Sequence, residues 1–143
     1  MLQALQLQGG KLVRRSLTAA AAGSSMVMFI RDKHTNTRFL IDSGADVSLM
    51  PPTYTDKRNR TSAPPLAAAN GSKITAYGRK SVNLRLHDKH FTADFVIADV
   101  SDAILGADFL RSHRLLVDLG NRCLIDTSDY AVLPCTTAEQ VHR

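Results

Sequence analysis

The sequence predicts a mainly β protein of one domain. Three observations carry that expectation. Two stretches alternate with period two: Val82, Leu84, Leu86, and then Phe91, Ala93, Phe95, Ile97. An Asn70-Gly71 pair sits between extended segments, and turn residues cut the rest into short apolar runs with one helical spacing late in the chain. Alternation places one face of each strand in a core. Asn-Gly is the strongest short-range hairpin signal, because both residues tolerate positive φ. With 143 residues and 44% hydrophobic content, the chain is sized for one core.

In chain order, residues 1–25 read as a flexible basic leader, rich in Gln and then in Gly, Ala and Ser. Residues 26–128 read as the folded domain and 129–143 as a C-terminal tail. Met26–Arg31 is a strand ending in charge, and Asp32–Thr37 is a polar hairpin loop. Phe39-Leu40-Ile41 is apolar without alternation, so both faces are expected to be buried. It runs into Asp42-Ser43-Gly44-Ala45-Asp46. Val47–Met50 is a short strand stopped by Pro51-Pro52, and 51–65 is an exposed loop. A hairpin around Asn70-Gly71 follows, then the two alternating strands. Ala103-Ile104-Leu105 is a strand ending at Gly106. Ala107–Arg114 is a short helix with Phe109, Leu110 and His113 on one side. Leu115–Asp118 and Cys123–Asp126 are strands around a Leu119-Gly120-Asn121 turn.

Charge is unevenly spread. No acidic residue precedes Asp32, so the first 31 residues hold +4 of the net +5 and the remainder holds +1. The leader is read as a solvated linker, without nucleic-acid contact. The near-neutral body counts against a nucleic-acid binder. Two cysteines make no disulfide framework, which fits a reducing, cytoplasmic setting. No run of 18 apolar residues predicts a membrane span. His87 and His90 have no supporting ligand cluster, so no metal and no cofactor is expected. Twelve of the thirteen acidic residues are Asp, so paired-carboxylate chemistry must be sought among aspartates.

An ionised Asp42 directly after three apolar residues is costly to bury unless hydrogen bonds relieve it. Gly44 allows a tight turn with its N–H facing inward, and Ser43 supplies a hydroxyl. A carboxylate held this way at the mouth of a core suits acid–base chemistry. Taken alone, Asp-Ser-Gly is also an ordinary turn.

Ile41-Asp42-Ser43-Gly44-Ala45 resembles the catalytic loop of aspartic proteases. Ala103-Ile104-Leu105-Gly106-Ala107-Asp108-Phe109-Leu110 resembles the signature near the end of retropepsins, in the form found in gypsy-type retrotransposon proteases. The order of loop, flap hairpin, alternating strands, Ile-Leu-Gly and helix is similar to the family's throughout residues 26–126. The resemblance implies a single-lobe, closed β-barrel of retropepsin type, with a flap hairpin and one short C-terminal helix. It implies Asp42 as the catalytic carboxylate, supported by Ser43, Gly44 and Ala45. Asp46, Asn70, Gly71, Ser72 and Ile104 would bind substrate. The family often has Arg after the signature Gly, to pair with the acidic residue of the loop. Here that position is Ala107.

Two carboxylates sharing one proton are needed for this chemistry, and only one Asp-Ser-Gly is present. Asp126-Thr127-Ser128 lacks the Gly and is read as a non-catalytic surface loop. The implied active form is therefore a homodimer, acting on a protein or peptide substrate and processing a retroelement polyprotein, which includes its own. The other reading is a catalytically silent module of the same fold that dimerises or binds.

Overall fold

The computed structural model describes residues 3–8, 11–16, 24–59, 63–67 and 71–141. Within the segment expected as a leader, β1 (Gln3–Gln8) and β2 (Lys11–Ser16) pair as an antiparallel hairpin. β3 (Ser24–Arg31) begins two residues ahead of the expected strand. Then come β4 (Arg38–Ile41), β5 (Leu49–Met50), α1 (Tyr54–Arg58), β6 (Leu66–Ala67) and β7 (Lys73–Ile74). The long pair β8 (Ala76–Leu86) and β9 (Lys89–Ala98) follows, with β10 (Ala103–Leu105) and α2 (Ala107–Ser112) after it. The chain closes with β11 (Leu115–Asp118), β12 (Cys123–Asp126), β13 (Ala131–Pro134) and β14 (Thr136–Val141). Residues 129–143, expected as a tail, thus carry two of the strands.

Among the described residues two helices are present where one was expected. α1 lies in the segment read as an exposed loop and buries no residue. It forms because Thr53 and Asp56 make a reciprocal capping box: each side chain accepts from the other's backbone N–H, at 3.1 and 2.9 Å. The strand expected over Val47–Met50 shortens to its last two residues.

The main sheet runs β14-β3-β4-β10-β5-β9-β8, and β11-β12-β13 forms a second, three-stranded antiparallel sheet. The sheets are not closed into the expected barrel. β8 returns to the end of β3 through one isolated bridge, Asp32 to Leu86. A side chain supplies the rest of that junction, because the Arg85 N–H donates to Asp32 Oδ1 at 2.8 Å. No helix among the described residues is long and apolar enough to cross a membrane.

The alternating strands face the core as their pattern dictates. Leu84, Leu86, Phe91, Ala93, Phe95 and Ile97 are all buried. Phe39 stacks on Phe95 with ring centroids 5.5 Å apart. Each such buried ring contributes about 2 to 3 kcal/mol. A smaller cluster holds Ala45, Leu49, Leu66, Ala98 and Ile104. It joins the β6–β7 hairpin to the Asp42 loop.

Candidate active site

β10 lies between β4, its parallel neighbour, and β5, its antiparallel one. The chain from 42 to 48 must therefore pass over the end of β10. Leu105 is in register with Ile41, so Asp42 and Gly106 emerge side by side. The Asp42 N–H donates to the Leu105 carbonyl at 3.0 Å, and the Ala107 N–H donates to the Ala45 carbonyl at 2.6 Å. The two sequence motifs, far apart in the chain, are here one structure.

Asp42 is 8% exposed. The Gly44 N–H donates to its Oδ1 at 3.0 Å, and the Ala45 N–H donates to its carbonyl at 3.1 Å. These bonds make the tight turn expected of Asp-Ser-Gly. Ser43 and Asp46 are exposed, while Ala45 is fully buried.

Gly106 has to be glycine for reasons of space. A Cβ there would lie 2.7 Å from the Ala45 and Val47 carbonyl oxygens. Side chains further clasp the loop to α2. The Gly106 N–H donates to Ser48 Oγ at 2.9 Å, and Ser48 Oγ donates to Asp108 Oδ1 at 2.7 Å. The Ser48 N–H reaches Asp108 Oδ2 at 3.1 Å. Sequence reasoning missed this clasp. Asp108 stood within the signature but had no role, and Ser48 carried no signal. The bonds span 60 residues, and local patterns cannot report that.

The hairpin expected around Asn70-Gly71 is formed by β6 and β7, with Leu66 opposite Ile74 and Ala67 opposite Lys73. Gly71 has φ +86°, the left-handed conformation expected of it, and both Gly71 and Ser72 are exposed. Asn70 lies outside the described residues. Ile104, expected among the substrate-binding residues, is 3% exposed and belongs to the cluster beneath the hairpin.

The other two buried aspartates have their oxygens occupied. Asp32 accepts from the His34, Thr35 and Arg85 N–H groups and from the Thr35 hydroxyl. Asp126 accepts from Lys89 Nζ at 2.6 Å and from the N–H and hydroxyl of Ser128. Lys89 first, with Ser128, holds its carboxyl down at about 2. Among the described residues, no three His, Cys, Asp or Glu side chains gather where a metal ion could be held.

An open groove of about 630 Å³ begins at Ser43 and runs past Ala107, Leu110 and Arg114 to Leu116 and Val117. Leu116 is an exposed apolar side chain.

No protein-family model matches the sequence. The structure is similar to the crystal structure of the retroviral protease-like domain of Ddi1 from Leishmania major. The TM-score is 0.59 at 20% identity, over 82% of this chain and 96% of that one. A weaker likeness is to EIAV protease complexed with the inhibitor HBY-793. Its TM-score is 0.41 at 20% identity, over 68% of this chain and 93% of that one. The first likeness shows the fold of this chain, which is that of a retroviral protease-like domain.

Proposed function

We propose that the protein is an aspartic endopeptidase of the retropepsin type, active as a homodimer in which each chain contributes Asp42. The observation that carries this reading is a buried Asp42 in an intact Asp-Ser-Gly turn, at the end of β4 beside Gly106, in a retroviral protease-like fold. The second carboxylate comes from the second copy, since Asp32 and Asp126 are committed to backbone and lysine contacts. The groove beside Ser43, with its apolar lining, is where this reading seats the partner.

Two carboxylates about 3 Å apart share one proton. The ionised one takes a proton from a water held between them, and the water oxygen attacks the substrate carbonyl carbon. The protonated one gives its proton to the carbonyl oxygen, leaving a neutral tetrahedral diol. The carboxyl that took the water proton then gives it to the amide nitrogen while the other carboxylate takes a proton from a diol hydroxyl. The C–N bond breaks, a carboxylic acid and an amine leave, and the pair again holds one proton. Gly71 and Ser72, at the exposed end of the β6–β7 hairpin, together with Asn70, would cover the substrate and exclude water. Asp46 and Ile104 would border it. A gypsy-type retroelement polyprotein is the substrate that the Ile104–Leu110 resemblance favours.

The test is hydrolysis of an unfolded protein substrate between about pH 4 and 7, with and without an inhibitor that mimics the tetrahedral intermediate. Cleavage that the inhibitor blocks is expected, and Asp42→Asn lowers it at least about 100-fold while the fold survives. A folded Asp42→Asn variant that keeps its activity removes Asp42 from the chemistry. A stable dimer without activity makes the protein a binding module of the same fold.

A further inference from the structure

The sequence average hides where the charge sits. Residues 32–143 hold a net charge of only +1. Yet the turn from β3 to β4 and the turn from β8 to β9 bring Arg31, Lys33, Arg38 and Arg85 to one end of the main sheet. Asp32 holds the two turns together. Its Oδ1 accepts from the Arg85 N–H at 2.8 Å, and the Lys33 N–H donates to the Arg85 carbonyl at 2.9 Å. Asp32 is 0% exposed, while the four cations around it are exposed.

Arg31, Lys33, Arg38 and His87 line one cleft of about 300 Å³. Two of the heads are held in place. Arg31 Nη1 donates to the Asn36 carbonyl at 2.6 Å, and the Arg38 guanidinium lies 4.0 Å over the Phe29 ring. Among the described residues, none of Arg31, Lys33, Arg38 and Arg85 is in an ion pair. The carboxylates nearby have other partners: Asp88 faces His87 at 3.6 Å, and Asp126 and Asp129 both hold Lys89 at 2.6 Å. The rings of His34 and His90, 5.8 Å apart, extend the same surface.

We propose that this end of the sheet is a binding surface for the phosphate backbone of nucleic acid. Phosphate recognition needs clustered, oriented cations and no apolar reading pocket. The exposed large hydrophobic residues Tyr54, Leu116, Leu119, Tyr130 and Val132 lie in neither turn, so neither turn carries a large exposed apolar side chain to insert into a lipid surface. Phe29, Ile30, Pro134 and Thr136 complete the lining of the cleft. The surface is also separate from the candidate active site. Arg38 begins β4 and Asp42 follows its last residue, so a strand bound at one end leaves the other open. The proposal stands whether or not Asp42 hydrolyses peptides.

The test is fluorescence anisotropy with labelled single-stranded RNA and DNA of about 20 nucleotides, beside labelled poly-glutamate and anionic vesicles. The variant is Arg31→Gln/Lys33→Gln/Arg85→Gln, with Lys33→Gln/Arg85→Gln as a second should loss of the Arg31–Asn36 bond disturb the turn. The control of equal charge is Lys11→Gln/Arg14→Gln/Arg15→Gln. The wild-type chain is expected to bind the oligonucleotides more tightly than poly-glutamate or vesicles. The triple variant should bind at least about 10-fold more weakly at ~0.1 M salt. The slope of log K against log salt should fall by about 2, at ~0.7 per lost phosphate contact. The control should stay within about twofold. Three results overturn the proposal: no binding by the wild-type chain, preference for poly-glutamate or vesicles, or equal weakening in the control.

Discussion

Asp32 and Asp42 each follow a largely apolar strand, and each is buried, but their surroundings set them apart. Asp32 accepts four hydrogen bonds, from His34, Thr35 and Arg85. Burial opposes its ionisation, yet these bonds outweigh that and hold its carboxyl below the usual range. Asp32→Ala would leave three N–H donors without the carboxylate they share and undo the junction of β3 with β8. A stability loss of about 3 kcal/mol is expected in urea denaturation, and a loss under 1 kcal/mol would show that the junction is not needed. Asp126 acts likewise, with its pKa drawn from 3.8 to about 2. A group depressed on folding stabilises the protein above its unfolded pKa and ceases to as pH falls toward its folded one. The urea midpoint should therefore hold from neutral pH down to about 4 and fall between about 4 and 2. Asp126→Asn should flatten that fall, and an unchanged profile would exclude the Lys89–Asp126 contact as its source. The sequence marked Asp42, because three apolar residues precede it and a glycine follows. It could not mark Asp32 as structural, since the decisive partner, Arg85, is 53 residues away.

Elements with local signatures were legible in the sequence. The alternation of 82–86 and 91–97 became β8 and β9, and Leu115–Asp118 and Cys123–Asp126 became β11 and β12. α2 was expected too, although it stops at Ser112 rather than Arg114. α1 was not expected, because a helix that buries nothing has no apolar period. Its Thr53-x-x-Asp56 capping box was the available signal. β14 was missed for a different reason: Thr136–Val141 has no apolar alternation and is ordered by pairing with β3, across the length of the domain. Between elements, the tightest fit is Gly106 against the Asp42 loop. Gly106→Ala would push a methyl to within 2.7 Å of two backbone oxygens of the Asp42 loop, of which that of Ala45 already accepts from the Ala107 N–H. A loss of about 2 to 4 kcal/mol in stability is expected. Under the proposed function, activity should fall further than the folded fraction does, because the strain is delivered to the residues carrying Asp42. Wild-type stability in Gly106→Ala would contradict that packing.

At the scale of the whole molecule, the fold alone was within reach of the motifs and their order, but the closure of the sheet was not. Barrel closure depends on strands joining across the chain. Here a carboxylate at Asp32 takes the place of a backbone rung, and the sheet stays open. The proposed active unit is larger than the chain, since each lobe supplies one Asp42 and the chemistry needs two. Mixing folded wild-type and Asp42→Asn chains tests this most directly, at total concentrations where dimers form and exchange. If two Asp42 carboxylates make each site, random pairing lowers hydrolysis per wild-type chain to about half at a 1:1 ratio and about one tenth at 1:9. Hydrolysis per wild-type chain that stays constant as the Asp42→Asn chain is added would contradict a site shared between two copies.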